Sequence, residues 1–424
     1  LWAMLAVGAV ILAVRAGPRL LEATSILNVV ALGLVLINVA TILQYEARAR
    51  AAEHAAIHAG DAGFEGTLPD PGRVKLDQQR LPGRTTPPDI YYIILEEYGG
   101  EDGLREVFHF DNTPFLSFLE SRGFYVAHQS TTNYPRTALS VASSLNMEYL
   151  DFLADQLGTD SDDTQPLTRL LQYSRVARFL KSIGYRYVQI GSWWLPTAQS
   201  PIADQNIVYG GLSEFSTVLY KTTVLQPLKE DDFRIREWKR AQFQFAALSK
   251  IPREKGPNFV FAHILLPHDP YVFNPDGSYV SEDQSASRST TENYVNQVLY
   301  ANSRVEQLVT ELLAGPENTR PVIVVQSDEG PYAGEPTSWR TIRSTPLERK
   351  FPILNAYYLP GVGSAGLSPT ITPVNTFRVV LDEYFDAGLP ILPDANYVFL
   401  SLHHLYDFTD VTTQVRSLLE ATSG

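Results

Sequence analysis

The 424-residue sequence contains no cysteine, and this absence removes several kinds of chemistry from consideration. Disulfide bonds, thiolate metal sites and cysteine nucleophiles are excluded, because each of them requires a thiol. The absence does not fix the cellular compartment, since disulfides are common in secreted proteins but are not obligatory there.

Basic residues are scarce relative to acidic ones. The chain has 34 Lys and Arg against 47 Asp and Glu, which gives a formal net charge of -13 at pH 7. Nucleic-acid binding depends on Lys and Arg that neutralise phosphates, so the composition argues against a nucleic-acid partner. An anionic substrate has to be attracted locally, by a metal ion or by a few well-placed cations.

Charged residues are missing from two stretches near the N-terminus, Leu1–Val14 and the segment between Glu22 and Glu46. A membrane-spanning helix needs about 20 apolar residues. We therefore predict a transmembrane helix at residues 26–43, with a buried core helix as the alternative. Leu1–Val14 is interpreted as part of a further transmembrane helix, or alternatively as a signal peptide without the usual basic start. The flanking charges do not determine the orientation.

The sequence divides into three predicted parts. Residues 1–57 form a membrane anchor, with one partial and one full transmembrane helix and a juxtamembrane helix. Residues 58–87 form a linker, because this segment is rich in Gly and Pro and has no periodicity. Residues 88–424 form a folded domain.

Short apolar runs alternate with helical patterns in the folded domain, which predicts an α/β fold with a largely parallel central sheet flanked by helices. In such folds the functional residues lie beyond the carboxyl ends of the strands. The predicted strands are Ile90–Leu95, Phe124–Ala127, Tyr187–Ile190, Phe259–Leu265, Val322–Gln326 and Ile353–Leu359. The predicted helices are Thr113–Arg122, Thr137–Leu145, Leu167–Ile183, Glu237–Leu248, Thr291–Leu313 and Thr372–Phe385.

Carboxylates follow two of the predicted strands. Glu96 and Glu97 come directly after the first strand, and Asp328 and Glu329 come after the fifth. Neighbouring side chains in a strand point to opposite faces, so only one of Glu96 and Glu97 is expected to face a site. The structural alternatives are solvated loop residues and an acidic turn.

A threonine hydroxyl lies at the start of a predicted helix. Pro135 suits the first helical position and would place Thr137 in the first turn. The free N–H groups and the positive end of the helix dipole would favour an alkoxide or a bound anion there. Arg136 would bind the same anion. A capping threonine and a solvated arginine are the alternatives.

Histidines and tryptophans near the same sheet edge complete the candidates. His263 and His268 lie at the end of the fourth predicted strand, where they are expected to contact a substrate oxygen or to protonate a leaving group. A structural histidine is the alternative. Trp193 and Trp194 follow the third strand and are predicted to bind substrate, with core packing as the alternative.

Taken together, these motifs resemble the sulfatase-like hydrolase and transferase branch of the alkaline phosphatase superfamily, over roughly residues 88–408. The sequence is similar to membrane-anchored bacterial proteins like lipoteichoic acid synthase, whose catalytic domain is extracytoplasmic. The matching segments are Pro88–Glu96, Asn112–Leu116, Arg122–Ala127, Asn133–Met147, His268–Tyr271 and Ser327–Gly330.

The resemblance implies a divalent metal bound by an acidic residue after the first strand, by a nucleophilic hydroxyl and by an Asp-His pair. Carried over, it implies Glu96, Thr137 and Asp328 as ligands. Thr137 is also the implied nucleophile, and His268 contacts the transferred group. Glu329 stands where the family has its histidine and is expected as a further ligand.

Glu329 changes the expected charge of the site. Three carboxylates on one dication leave a negative site before an anionic substrate arrives. Either Arg136 and the histidines offset this charge, or Glu329 turns away, or more than one cation binds. An all-oxygen ligand set favours a hard ion, so Mg²⁺ or Mn²⁺ is predicted, with Ca²⁺ and Zn²⁺ as alternatives.

True sulfatases carry a formylglycine made from Cys or Ser in a Cys/Ser-x-Pro-x-Arg motif. This chain has no Cys, and its Ser344–Glu348 segment lacks the arginine. A threonine nucleophile indicates phosphoryl chemistry instead, through a phosphothreonine intermediate released by water or an alcohol. We expect a membrane-anchored phosphotransferase or phosphodiesterase that acts on lipid-linked or glycan phosphoesters at the cell-envelope bilayer. The alternative is a domain that has lost catalysis and binds an envelope ligand or a partner protein.

Overall fold

The structure is a computed structural model, and its elements lie in two units, Leu1–Ala55 and Ala56–Gly424. It describes residues 24, 28–37, 39–40, 43, 64, 66–74, 86–210, 233–251, 256–332, 346–364 and 366–422.

A central sheet organises the second unit. In the described part of this unit, seven strands form one sheet in the order β2-β7-β6-β1-β5-β3-β4, and a separate hairpin is formed by β8 and β9. The strands are Ile90–Leu95 (β1), Tyr125–Val126 (β2), Arg186–Ile190 (β3), Gln205–Ile207 (β4), Asn258–Ile264 (β5), Val322–Ser327 (β6), Asn355–Tyr358 (β7), Tyr397–Ser401 (β8) and His404–Asp410 (β9). Strands β4, β3, β5, β1 and β6 are parallel, whereas β7 is antiparallel to β6 and to β2.

Helices cover both faces of this sheet. The α-helices of the described second unit are Glu101–Phe108, Thr113–Ser121, Thr137–Asn146, Asp151–Leu157, Gln165–Gln172, Arg175–Ser182, Leu195–Ala198, Phe233–Leu248, Glu282–Ala286, Thr290–Leu312, Leu347–Lys350, Thr376–Phe385 and Thr412–Thr422. Short 3₁₀ turns occur at Pro71–Arg73, Glu317–Thr319 and Pro373–Asn375.

Strand β1 shows why the sheet is buried on both sides. All six of its residues are buried and apolar or aromatic. Alternate residues contribute to two different hydrophobic clusters, with Tyr92 and Ile94 in one and Tyr91 and Ile93 in the other. Such a strand satisfies its backbone within the sheet and its side chains against helices on each face, so it occupies a central position.

The predicted α/β fold with a mostly parallel sheet is confirmed, and each of the six predicted strands is present. One predicted helix is wrong as a single element, because Leu167–Ile183 is two helices, Gln165–Gln172 and Arg175–Ser182. The break occurs where the Ser174 hydroxyl accepts the Ala177 N–H and caps the second helix. The prediction missed β4, β8 and β9. Strands β4 and β9 mix polar and partly exposed residues, whereas β8 contains the apolar run Tyr397–Leu400, which the prediction did not assign to a strand.

The predicted transmembrane segments lie largely outside the described residues. Leu1–Val14 lies outside them entirely, whereas residues 28–37 are helical and mostly exposed. Of the helices that the structure describes, none combines the length and the hydropathy needed to cross a membrane. The predicted anchor stays a prediction.

Part of the predicted linker packs against the folded domain. The Phe64 ring lies 4.0 Å from the guanidinium carbon of Arg175 and 5.1 Å from that of Arg378. Leu68 and Val74 pack against the larger hydrophobic cluster. This segment is therefore held by contacts between aromatic or aliphatic groups and the domain surface.

Candidate active site

Three neighbouring strands bring ionisable side chains to one point. β1 pairs with β5 on one side and with β6 on the other. Glu96 follows β1, His263 lies in β5 and Asp328 follows β6, and one ligand atom of each lies within 4.8 Å of the other two. All three residues are buried. We call this group the ligand triad.

His263 is held in one orientation by partners on both ring nitrogens. Its Nε2 faces the Glu96 carboxylate, and its Nδ1 lies 2.9 Å from Thr197 Oγ1. Thr197 Oγ1 in turn lies 2.8 Å from Ser192 Oγ. An outer partner on one nitrogen is what orients a histidine ligand towards a metal with the other. His263 was expected to bind substrate, but the structure buries it completely within the triad.

Asp328 has an oxygen that the protein leaves without a donor. Its Oδ1 accepts the Glu97 backbone N–H at 3.1 Å, whereas the buried Oδ2 has no hydrogen-bond partner among the described residues. Burial and the negative charges of Glu96 and Glu329 raise the pKa of Asp328 well above its usual range. An unpartnered buried carboxylate oxygen is costly. The triad therefore fits a divalent cation, which would supply the missing partner.

The donor set differs from the all-oxygen set on which the choice of metal was based. The triad contains an imidazole nitrogen, and Glu329 does not belong to it. One nitrogen with two carboxylates suits Zn²⁺ or Mn²⁺ better than it suits Mg²⁺ or Ca²⁺. Mn²⁺ therefore belongs both to the predicted ions and to the ions that these donors suit, whereas the preference for Mg²⁺ over Zn²⁺ rested on an all-oxygen set.

The Thr137 hydroxyl lies between two glutamates. Thr137 is the first residue of its helix, and Arg136 is the N-cap in an extended conformation. The predicted first-turn position is confirmed, although Pro135 precedes the cap instead of starting the helix. Thr137 Oγ1 donates to Glu96 Oε1 at 2.8 Å and makes a longer contact of 3.4 Å with Glu329 Oε1.

A buried lysine that the sequence analysis did not identify pairs with Glu329. Lys350 ends its short helix with no exposed surface, and its Nζ lies 2.9 Å from Glu329 Oε2 and 4.0 Å from Glu97 Oε1. Burial raises the pKa of Glu329 to about 7, although Lys350 opposes this effect. No sequence pattern marks Lys350, because it follows Arg349 in an ordinary charged segment and lies 21 residues along the chain from Glu329.

Both adjacent glutamates after β1 line the site, whereas strand alternation predicted only one. The strand ends at Leu95, and Glu97 has a φ of 58°, in the left-handed region. Glu97 therefore lies outside the strand, where neighbouring side chains need not point to opposite faces. The turn directs Glu97 towards His268, whose Nε2 lies 3.9 Å from Glu97 Oε1. Nothing in the local sequence signals this turn.

His268 is placed to carry a positive charge. Burial favours its neutral form, but the negative charges of Glu97, Glu96 and Asp269 outweigh burial and raise the pKa of His268 to about 9. A protonated imidazole can donate to a substrate oxygen or to a leaving group.

A cavity of about 340 Å³ opens over these groups. Arg136 and His268 line it together with Trp193, Trp194 and Leu402, the last from the turn between β8 and β9. The cavity thus combines cationic and apolar walls around the Thr137 hydroxyl. The roles predicted for the two tryptophans and for Arg136 remain predictions.

Comparisons with known proteins bear on the whole domain. A family model described as Sulfatase matches residues 88–372. The C-terminal periplasmic domain of EptC from Escherichia coli is 14% identical with a TM-score of 0.52, and the match covers 82% of this chain and 97% of that one. Its complex with Zn is 13% identical with a TM-score of 0.52, over 81% and 96% of the two chains. Lipooligosaccharide phosphoethanolamine transferase A from Neisseria meningitidis is 13% identical with a TM-score of 0.46, over 76% and 58%. A search of curated proteins finds no match to this chain.

Proposed function

Because the chain belongs to the sulfatase family, we propose that it is a metal-dependent phosphotransferase or phosphodiesterase with Thr137 as its nucleophile. The observation that carries the proposal is the position of the Thr137 hydroxyl. It lies 2.8 Å from Glu96 Oε1, at the edge of the ligand triad and on the wall of the cavity. A hydroxyl beside a cation site, in the first turn of a helix, is suited to nucleophilic attack.

The ligand triad and the Thr137 hydroxyl would hold the cation, for which Mn²⁺ and Zn²⁺ fit the mixed nitrogen and oxygen donors. When bound, a divalent cation lowers the pKa of an adjacent hydroxyl and offsets charge on a transferred phosphoryl group. The unpartnered Asp328 Oδ2 supports this assignment, because a cation there would pair the oxygen that the protein leaves free.

The residues of the site suggest a course for the transfer. Thr137 Oγ1 attacks phosphorus, its proton passes to one of the two flanking carboxylates, and the bond from phosphorus to the leaving oxygen breaks. His268, which is protonated at neutral pH, donates a proton to that leaving oxygen. Arg136 and the helix N-terminus bind the remaining phosphoryl oxygens. Water or an acceptor alcohol then releases the group from phosphothreonine.

Threonine favours phosphoryl over sulfuryl transfer in this chain. A formylglycine is made from Cys or Ser, and the position beside Glu96 and Glu329 holds Thr137 instead. An unmodified alcohol can attack phosphorus directly and displace the leaving oxygen of a phosphoester. Sulfate-ester hydrolysis through a formylglycine hydrate is therefore not part of the proposal.

The walls of the cavity guide the choice of substrate. Cationic Arg136 and His268 suit a phosphate, while Trp193, Trp194 and Leu402 suit an apolar or ring-bearing organic group. Lipid-linked or glycan phosphoesters of the cell envelope combine these features. We propose that the domain is extracytoplasmic and anchored to the bilayer by the N-terminal segment. The fold shared with a periplasmic domain of EptC supports this location.

Mass spectrometry of the full chain, incubated with Mn²⁺ and phosphatidylethanolamine or phosphatidylglycerol vesicles, tests the proposal. We expect a phosphoethanolamine or phosphoglycerol adduct, formed with release of diacylglycerol, on the peptide that contains Thr137. The adduct should be absent in Thr137→Ala and present again in the matched control Thr137→Ser. An adduct on another residue would refute the nucleophile. Absence of both an adduct and cation binding would favour the alternative, a binding module without catalysis.

A further inference from the structure

We infer that Lys350 is a positioning residue that withholds Glu329 from the metal site, so that the site takes one divalent cation and not two. The inference rests on the proposed function, because it presupposes that the ligand triad holds a cation. It assigns a role to a side chain that does not line the cavity and that acts only through Glu329.

The buried carboxylates of the described site fall into two pairs. Glu96 and Asp328 belong to the ligand triad. Glu97 and Glu329 instead converge on the Lys350 ammonium, at 4.0 Å and 2.9 Å. Two carboxylates that face one point are themselves suited to a divalent cation. In this chain the Lys350 ammonium occupies that point.

The Lys350 ammonium is fixed by further contacts. It donates to the Gly330 carbonyl oxygen at 2.5 Å, and it lies 3.1 Å from the centroid of the Tyr332 ring. The contact with Gly330 is a hydrogen bond, whereas the contact with Glu329 Oε2 is an ion pair without hydrogen-bond geometry. With no exposed surface, Lys350 is in no position to contact a substrate directly.

The backbone around Gly330 shows that this clamp is part of the fold. The Gly330 N–H donates to the Lys350 carbonyl oxygen at 2.8 Å, so both ends of the lysine hold the same loop. A Cβ at position 330 would overlap the Arg349 carbonyl oxygen. Only glycine allows the loop after β6 to approach the Leu347–Lys350 helix this closely.

The charge balance explains the consequence for metal binding. The Lys350 ammonium lies between Glu97 and Glu329 and offsets their negative charge. A second divalent cation would have to displace a buried, hydrogen-bonded ammonium, and breaking such a buried pair is strongly unfavourable. Glu329 thus stays beside Thr137 as a carboxylate that is not shared with a metal.

Titration of the full-length, metal-free chain with Mn²⁺ tests the inference, with free Mn²⁺ measured by electron paramagnetic resonance. We expect one Mn²⁺ per chain in the wild type, two in Lys350→Met, and one again in the double variant Lys350→Met/Glu329→Gln. Lys181→Met is the matched control, since it removes an ion pair of 2.7 Å with Asp204 at the surface. It should bind one Mn²⁺ with unchanged affinity.

One Mn²⁺ at unchanged affinity in a folded Lys350→Met variant would overturn the inference while leaving the proposed function intact. No Mn²⁺ in the wild type would overturn the proposed function and the inference with it. If circular dichroism shows that Lys350→Met does not fold, Glu329→Gln decides. It should lower Mn²⁺ affinity by no more than about 10- to 100-fold, the range for a residue that does not bind the metal directly. A loss as large as that in Asp328→Asn would make Glu329 a ligand and refute the inference.

Discussion

Adjacent carboxylates in this site have opposite surroundings. Glu96 and Asp328 meet a histidine, and Asp328 Oδ2 lacks a partner among the described residues. Their sequence neighbours Glu97 and Glu329 converge on the buried Lys350 ammonium. Both pairs are acidic and buried, but only the second pair converges on a lysine ammonium. Although burial raises it, contacts with His263 and His268 lower the pKa of Glu96 to about 2. The unpartnered Asp328 Oδ2 is therefore the feature that marks a metal site here.

The largest expected difference between the two pairs is in catalysis. Asp328→Asn should lower Mn²⁺-supported phosphodiester turnover by about 10³-fold or more, since it removes a proposed ligand. Glu329→Gln should lower it by only about 10- to 100-fold, as for an outer partner. Steady-state kinetics with bis(4-nitrophenyl) phosphate measures both. Equal losses of turnover in the two variants would show that the two pairs of carboxylates do not differ in their role.

The second expected difference is in stability without metal. Lys350→Met should destabilise the protein by about 3–5 kcal/mol, because it leaves Glu329 buried and unpaired. The surface control Lys181→Met should cost about 0–1 kcal/mol. Urea unfolding of the metal-free proteins measures the difference. Adding Glu329→Gln to Lys350→Met should recover most of the lost stability. If it does not, the loss of the Glu329 and Lys350 pair is not the cause of the destabilisation.

Much of this arrangement follows from the sequence, because apolar runs that end in carboxylates predict buried parallel strands whose ends share one edge. Glu96 and Asp328, with their neighbours Glu97 and Glu329, were candidates for this reason, and Thr137 was a candidate because it opens a predicted helix. Which residues contact these candidates could not be identified from the sequence, because the contacts depend on the order of the strands and on the local backbone conformation. His263 joins the triad because β5 pairs with β1. The family resemblance could place Glu329 near the site, but no local pattern predicts its buried lysine partner.

The elements outside the centre of the sheet were also difficult to predict from the sequence. Strands β8 and β9 alternate buried and exposed residues irregularly, so periodicity does not reveal them. Their turn nevertheless contributes Leu402 to the cavity wall. Strand alternation predicted that only one of Glu96 and Glu97 would face the site, but the positive φ of Glu97 brings both side chains there. Tertiary context decides these positions.

A third prediction probes the outer support of the triad. Thr197→Val removes the hydroxyl that lies 2.9 Å from His263 Nδ1. It should weaken Mn²⁺ binding by about 10- to 100-fold, the usual effect of losing such a partner. The stability of the Glu329 and Lys350 pair should not change. Calorimetric titration measures the affinity, and an unchanged value would remove His263 from the set of ligands.

The smallest expected effect near neutral pH is the change in turnover with pH that the charge of His268 causes. Its pKa is raised to about 9, so its positive charge and any stabilisation from it are present at neutral pH and are lost as pH rises through about 9. Turnover should be nearly constant from pH 7 to 8 and should decline above about 9. The matched variant His268→Gln should lower turnover and abolish this decline. A decline that persists in the variant would assign it to another group.

The central claim is that a divalent cation binds at Glu96, His263 and Asp328 and not at the neighbouring carboxylates. Anomalous diffraction from crystals of the full chain grown with Mn²⁺, recorded at the manganese absorption edge, locates the ion directly. The account predicts one peak within bonding distance of the triad and the Thr137 hydroxyl. A peak between Glu97 and Glu329, or no peak at the triad, would contradict it.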